Sequence, residues 1–205
     1  MNTTALFFAI IVGFNHAFEA DHVLAVGNLA NKRNSFFAAM KDGLFWGLGH
    51  TMMILVVGGI IILAKLTLNI SSFEYLEIVV GITLIVLGIY RIRKINQDQD
   101  HDHQPNVNAK GGRLAFLIGS IHGLAGSGAV VLIAMSEITS STLSVVYMLL
   151  FGIGSILGMI LVAALFKIPL TAKLGIGPKI QKGFLWLSAL LCIAYGVYMV
   201  FKFMS

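Results

Sequence analysis

Six apolar stretches constrain this chain more than anything else in it, each about as long as the roughly 20 helical residues that cross a hydrocarbon core. They are centred roughly on residues 5–28, 43–64, 74–92, 113–135, 143–166 and 184–203. A backbone in lipid must satisfy its own hydrogen bonds, so stretches of this kind fold as helices. The expected fold is therefore an all-α integral membrane protein with six transmembrane helices. Composition agrees, because only 11% of the 205 residues are charged and the mean hydropathy is +0.90, against about 25% charged residues in soluble domains. Little length is left for a soluble domain. No basic residue precedes the first apolar run and no clear small-residue cleavage site follows it, so that run is expected as a mature helix.

Charge orients the helices. Of the 14 Lys and Arg residues, all but Lys65 and Lys202 fall in or beside the loops after the first, third and fifth stretches. The positive-inside rule then puts loops 29–42, 93–112 and 167–183 in the cytoplasm and both termini outside. The net charge of +5 flanks helix ends and forms no continuous basic face, which argues against a nucleic-acid partner. The single Cys192 excludes an intramolecular disulfide and any CxxC metal site. It reads as a small packing residue.

The first stretch contains His16-Ala17-Phe18-Glu19-Ala20-Asp21-His22, two imidazoles and two carboxylates in seven residues. On an insertion scale a central Asp costs roughly 2.5–3.5 kcal/mol, whereas each Leu, Ile, Phe or Val returns only about 0.3–0.6 kcal/mol. Such a segment must hide its polar face against other helices or a water-filled cavity, where transporters and channels keep their ionisable residues. His16, Asp21 and His22 cannot share one face of an ideal helix, because five residues turn the chain by about 140° and six by about 240°. Either the helix bends or several partners surround it. Glu19, three residues from each histidine, is placed to bridge them and to orient an imidazole through its second nitrogen. His50 in the second stretch and His122 in the fourth would complete a nitrogen-rich cage. Imidazole with carboxylate and no available thiolate suits nickel, cobalt, zinc or iron.

The halves of the chain repeat one another. His16-Ala17-Phe18-Glu19-Ala20-Asp21 is answered by His122-Gly123-Leu124-Ala125-Gly126-Ser127, and Phe45-Trp46-Gly47-Leu48-Gly49-His50 by Leu150-Phe151-Gly152-Ile153-Gly154-Ser155. Leu87-Gly88-Ile89-Tyr90 likewise matches Tyr195-Gly196-Val197-Tyr198, at a common offset of about 106 residues. Three helices per unit make the second copy enter the membrane with opposite polarity, the inverted repeat with which many secondary transporters build a midplane site. The expected organisation is a first repeat over 1–94, a cytoplasmic linker over 95–112 and a second repeat over 113–205. The linker carries the Asp/His run 98–103, read as a solvated connection that can hold metal only weakly. Gly126-Ser127-Gly128, directly after His122, weakens a helix interior and suggests an unwound segment there.

His16, four residues, Asp21 and His22, filled by Ala-Phe-Glu-Ala and followed by Leu48-Gly49-His50-Thr51, resemble the signature of the nickel/cobalt permease (NiCoT) family and its shorter UreH-like relatives. The close match covers roughly residues 13–55. The resemblance implies metal-related roles for His16, Asp21 and His22, with His50 belonging to a second motif. Longer members have eight helices, and their second-half acidic motif is replaced here by the segment from His122 to Gly128.

These readings converge on transport of a divalent transition metal, nickel or cobalt, as substrate, with no resident cofactor and no enzymatic reaction. His16, His22 and His50 are expected as ligands and Asp21 or Glu19 as compensating charge. Uptake is favoured, because a dication moving to a negative interior gains about 4.6 kcal/mol per 100 mV. Export would need coupling, for instance to protons through Glu19, Asp21 or Glu137. Besides the ion and the bilayer, a cytoplasmic metal chaperone or a second copy of the chain is a candidate partner. Two rivals are an accessory subunit of a metal-delivery system, which should depend on the linker, and a membrane redox protein holding haem or a di-metal centre, which should retain its cofactor. No GxxxxGK[ST] loop is present, so any energy-coupling ATPase would be another chain.

Overall fold

A computed structural model describes residues 3–30, 35–64, 71–97, 111–125, 140–171 and 175–204. Among them are seven α-helices: α1 (Thr3–His16), α2 (Ala20–Ala30), α3 (Phe36–Ala64), α4 (Ser71–Gln97), α5 (Gly111–Ala125), α6 (Ser141–Lys167) and α7 (Pro178–Met204). A short 3-10 turn, Ile168–Leu170, follows α6. Four of the helices, α3, α4, α6 and α7, are long and apolar enough to cross a membrane, with Phe7–His16 and Gly112–Ala125 as shorter apolar helices.

The second, third, fifth and sixth apolar stretches each form one helix, longer than its hydropathic centre because polar ends continue the same turns. The first stretch does not. It breaks after His16, where the amides of Ala17, Phe18 and Glu19 each bond the carbonyl three residues back, at 3.2, 2.9 and 3.1 Å. The chain resumes as α2, with the Val23 amide on the Glu19 carbonyl at 2.9 Å. The bend answers the conflict in the sequence, since it lets His16 and His22 reach one place from two helices. Of the fourth stretch, 111–125 is helical. The Gly126–Gly128 segment, Glu137 and the Asp/His run at 98–103 all lie outside the described residues.

Ionisable side chains are turned inward among an apolar core, and large apolar ones outward. His16, Asp21, His22, His50 and His122 are buried, while Phe7, Ile11, Val86, Leu157 and Phe201 stand exposed. That arrangement suits a bundle whose solvent is lipid, where helices associate by close backbone packing. Glycines provide the approach. A Cβ on Gly13 would strike the Phe151 carbonyl and one on Gly154 the Ile10 carbonyl, locking α1 to α6. One on Gly119 would strike the Trp46 carbonyl, one on Gly123 the His50 carbonyl and one on Gly49 the Phe116 carbonyl, locking α5 to α3. Helices α4 and α7 meet in the same way, through Gly81 against Gly196 and Gly88 against Ala189.

Short α2 runs through the middle and touches α3, α4, α6 and α7. Its residues from Ala25 to Ala30 are all buried. Asn28 clasps α7: its Nδ2 donates to the Ser188 carbonyl at 3.2 Å and to Leu24 at 2.9 Å, and the Ser188 hydroxyl donates to Asn28 Oδ1 at 3.1 Å. This ties down the half-helix whose first turn bears Asp21 and His22.

Candidate metal centre

Three imidazoles from three helices meet at the break. His16 closes α1, His22 sits in the first turn of α2, and His50 lies midway along α3. The Nε2 atoms of His16 and His22 each lie 3.3 Å from Nε2 of His50. One ligand atom from each of the three residues falls within 4.8 Å of the others. All three rings are buried, with His22 and His50 at 0% exposure. Two nitrogens about 2.0–2.1 Å from a common ion and 3.3 Å apart subtend roughly 105°, between octahedral and tetrahedral angles. The trio is therefore sized for one transition-metal ion.

Carboxylates stand behind two of the rings. Glu19 Oε1 accepts from His16 Nδ1 at 2.8 Å, and Asp21 Oδ1 lies 2.9 Å from His22 Nδ1 at ion-pair distance. The proton held at His16 Nδ1 leaves that ring's lone pair on Nε2, which faces the centre. Glu19 bonds His16 and Asp21 lies closest to His22, and ligand atoms of Glu19, Asp21 and His22 fall within 4.8 Å of one another. The break carries the two rings onto different helices. The surroundings of the two carboxylates also differ, because the Glu19 side chain is half exposed and that of Asp21 is nearly buried. Three Nε2 lone pairs cannot all face one another at 3.3 Å without a proton or a cation between them. Either a proton on one of them or a bound cation satisfies the arrangement.

His122, on α5, stands beside the trio rather than in it. Its ring is edge-on to His22 with centroids 5.7 Å apart, and its Nδ1 bonds the Ile118 carbonyl at 3.1 Å. Its Nε2 and the hydroxyl of Ser155 on α6 are buried without a hydrogen-bond partner among the described residues. Sequence reasoning passed over Trp46, whose indole stacks on His50 and lies 5.2 Å from both His22 and His122. The available signal was its spacing of four residues before His50, which puts the two on one helix face. Glu77 was passed over as well. With Glu19, Asp21, Tyr195, Tyr198 and Lys202 it lines a cavity of about 170 Å³ between α2, α4 and α7, directly behind the orienting carboxylates. Only the fold could have joined residues from such distant segments.

No family model matches the chain, and no solved structure matches it. The urease accessory protein UreH of Bacillus sp. (strain TB-90) is 32% identical over 202 residues, an alignment covering 94% of this chain and 88% of that protein. Similarity across nearly the whole length extends well beyond the motifs around His16 and His50, and with the apolar helices it makes the chain a multi-pass membrane protein. The chain belongs to the UreH-like short branch of the nickel/cobalt permease family.

Proposed function

We propose that this protein is a secondary permease that carries nickel inward across the membrane, with His16, His22 and His50 binding the ion through Nε2 and Glu19 and Asp21 orienting the rings. One observation carries the reading: three buried imidazole nitrogens converge at 3.3 Å, two of them backed by carboxylates at Nδ1. Nitrogen ligands with carboxylate support suit nickel or cobalt. Nickel is preferred because the relative is named for service to urease, and the chain is read as that enzyme's nickel supply. Nε2 atoms 3.3 Å apart take a single ion and not a macrocycle, which disfavours the haem reading.

The ion is read as moving by alternating access of a six-span inverted repeat with both termini outside. Reciprocal contacts support the repeat. Gly13 on Phe151 is answered by Gly119 on Trp46, and Gly154 on Ile10 by Gly49 on Phe116. Gly88 on Ala189 is answered by Gly196 on Gly81. Each pair exchanges its partners between halves at the offset read in the sequence, as a two-fold axis requires. In that orientation the cavity lined by Glu19, Asp21 and Glu77 opens toward the outer half of the membrane, a negative antechamber for a dication. The inside-negative potential then drives uptake without another energy source.

Reconstituted protein tests this directly. Liposomes should accumulate nickel saturably, faster with an inside-negative potential, and His16→Ala or His22→Ala should abolish accumulation. Wild-type flux in either variant would overturn the ligand assignment, and binding without flux in wild type would favour an accessory subunit.

A further inference from the structure

We propose that His122 is the ligand that replaces His16 as the site changes face: the ion is received on His16, His22 and His50 and released from His22, His50 and His122. The inference rests on the permease reading above and assigns His122 a role in movement that the receiving site does not need.

Four observations carry it. First, the Ile118 carbonyl can only accept, so the His122 proton sits on Nδ1 and the lone pair is on Nε2. Second, that Nε2 is wholly buried and without a partner among the described residues. A buried acceptor left unmatched is costly, and a neutral imidazole with its lone pair on Nε2 is the form that ligates a metal. Third, its ring lies edge-on to His22 at 5.7 Å between centroids, yet His122 falls outside the group whose ligand atoms lie within 4.8 Å of one another. Fourth, the two exchanging histidines sit on helices with different seats, α1 on α6 and α5 on α3, while α3 is itself seated on α6 through Gly43, Gly47 and Gly152. His16 ends α1, which is fixed to α6 at Gly13, Gly154 and Gly158. His122 is on α5, fixed to the His50-bearing α3 at Gly49, Gly119 and Gly123.

A displacement of α1 on its α6 seat therefore withdraws His16 while His50 and His122, on the seated α3–α5 pair, travel together. One bond from the metal to His16 Nε2 breaks and one to His122 Nε2 forms. Both ligands are neutral, so the exchange changes neither the charge nor the proton count of the site. His16 and His122 also occupy matching positions of the two halves, as an exchange of roles between inverted repeats requires.

The test compares nickel binding to purified full-length protein by equilibrium dialysis with nickel entry into liposomes, for wild type, His16→Ala, His122→Ala and His122→Asn. Asn can still donate to the Ile118 carbonyl but offers no imidazole lone pair, so it preserves a structural role and removes the ligand. Both His122 variants should bind nickel within about threefold of wild type and lose at least about tenfold in maximal flux at little-changed KM, whereas His16→Ala loses binding by about 10–100-fold. Binding lost in His122→Asn as in His16→Ala would make His122 a static ligand and overturn the exchange. Normal flux in His122→Asn, with or without a folding defect in His122→Ala, would reduce it to a packing residue. Wild type that binds no nickel would instead overturn the permease reading on which the proposal rests.

Discussion

Trp46 stacks on His50 with their planes 13° apart and ring centroids 5.4 Å apart, one helical turn away on α3. The indole also borders His22 and His122 at 5.2 Å, so it walls the centre on the side of α3 and α5. The chain has two Trp residues, and the second, Trp186, lies on α7. A paramagnetic ion held by His50 sits within contact range of the indole. Nickel should therefore quench the emission of a Trp186→Phe variant saturably, and His50→Ala in the same background should remove the saturable part. Quenching that is unchanged by His50→Ala would place the ion elsewhere.

The two orienting carboxylates should differ in weight. Removing a carboxylate that holds a ligand imidazole weakens metal affinity by about 10–100-fold. Asp21 is nearly buried beside fully buried His22, whereas Glu19 is half exposed and water can replace part of its bond to His16. Asp21→Asn should lie near the upper end of that range and Glu19→Gln near the lower, measured by nickel binding isotherms. Equal losses, or the reverse order, would contradict the assignment of one carboxylate to each ring.

Much of this centre was legible in the sequence, and the reasons are physical. Asp21 and two histidines within an apolar run are too costly to be accidental, which marked His16, Asp21, His22 and Glu19. The same seven residues could not share one helix face, which announced a bend without locating it. Its place at Ala17–Glu19 carries no Gly or Pro signal, and the close seat of Ala17 on Gly158, where a Cβ would meet the Ala17 methyl, involves a residue far along the chain. The tautomer of His122 depends on a carbonyl one turn back, which hydropathy does not register. Glu77 and the Asn28–Ser188 clasp join segments far apart in the chain, so no local pattern could reveal them.

Glycine contacts should be felt in stability, and unequally. Gly119→Ala drives a methyl into the backbone carbonyl of Trp46, which cannot rotate away. Overpacking of this kind costs about 1–3 kcal/mol. Gly59 lies in the interior of the same α3 helix, and a methyl added there would meet nothing within 4 Å, so Gly59→Ala should be neutral or stabilising by up to about 1 kcal/mol. Thermal unfolding in detergent, followed by the loss of monodisperse protein, separates the two. A destabilised Gly59→Ala with an unaffected Gly119→Ala would refute the packing.

The Asn28 clasp should connect stability to binding. Asn28→Ala removes both donations from Nδ2 and strands the Ser188 hydroxyl, a loss of about 1–3 kcal/mol for buried groups. Because α2 carries His22 six residues earlier, nickel affinity should fall as well, although Asn28 touches none of the three imidazoles. Ser188→Ala, which leaves the bond to the Ser188 carbonyl in place, should produce a smaller change in both quantities. Unfolding curves and dialysis on the same preparations decide the matter.

Because the chain is interrupted after His16, α1 reaches only about 21 Å and α2 about 17 Å, each short of the roughly 30 Å hydrocarbon thickness. Neither piece crosses the core alone. The glycine seats that receive α1 are on α6, and the residue that clasps α2 is on α7, 160 residues beyond Asn28. The break is thus held by contacts remote in sequence, so His16 and His22 are brought to His50 by the assembled bundle and not by the helices that carry them.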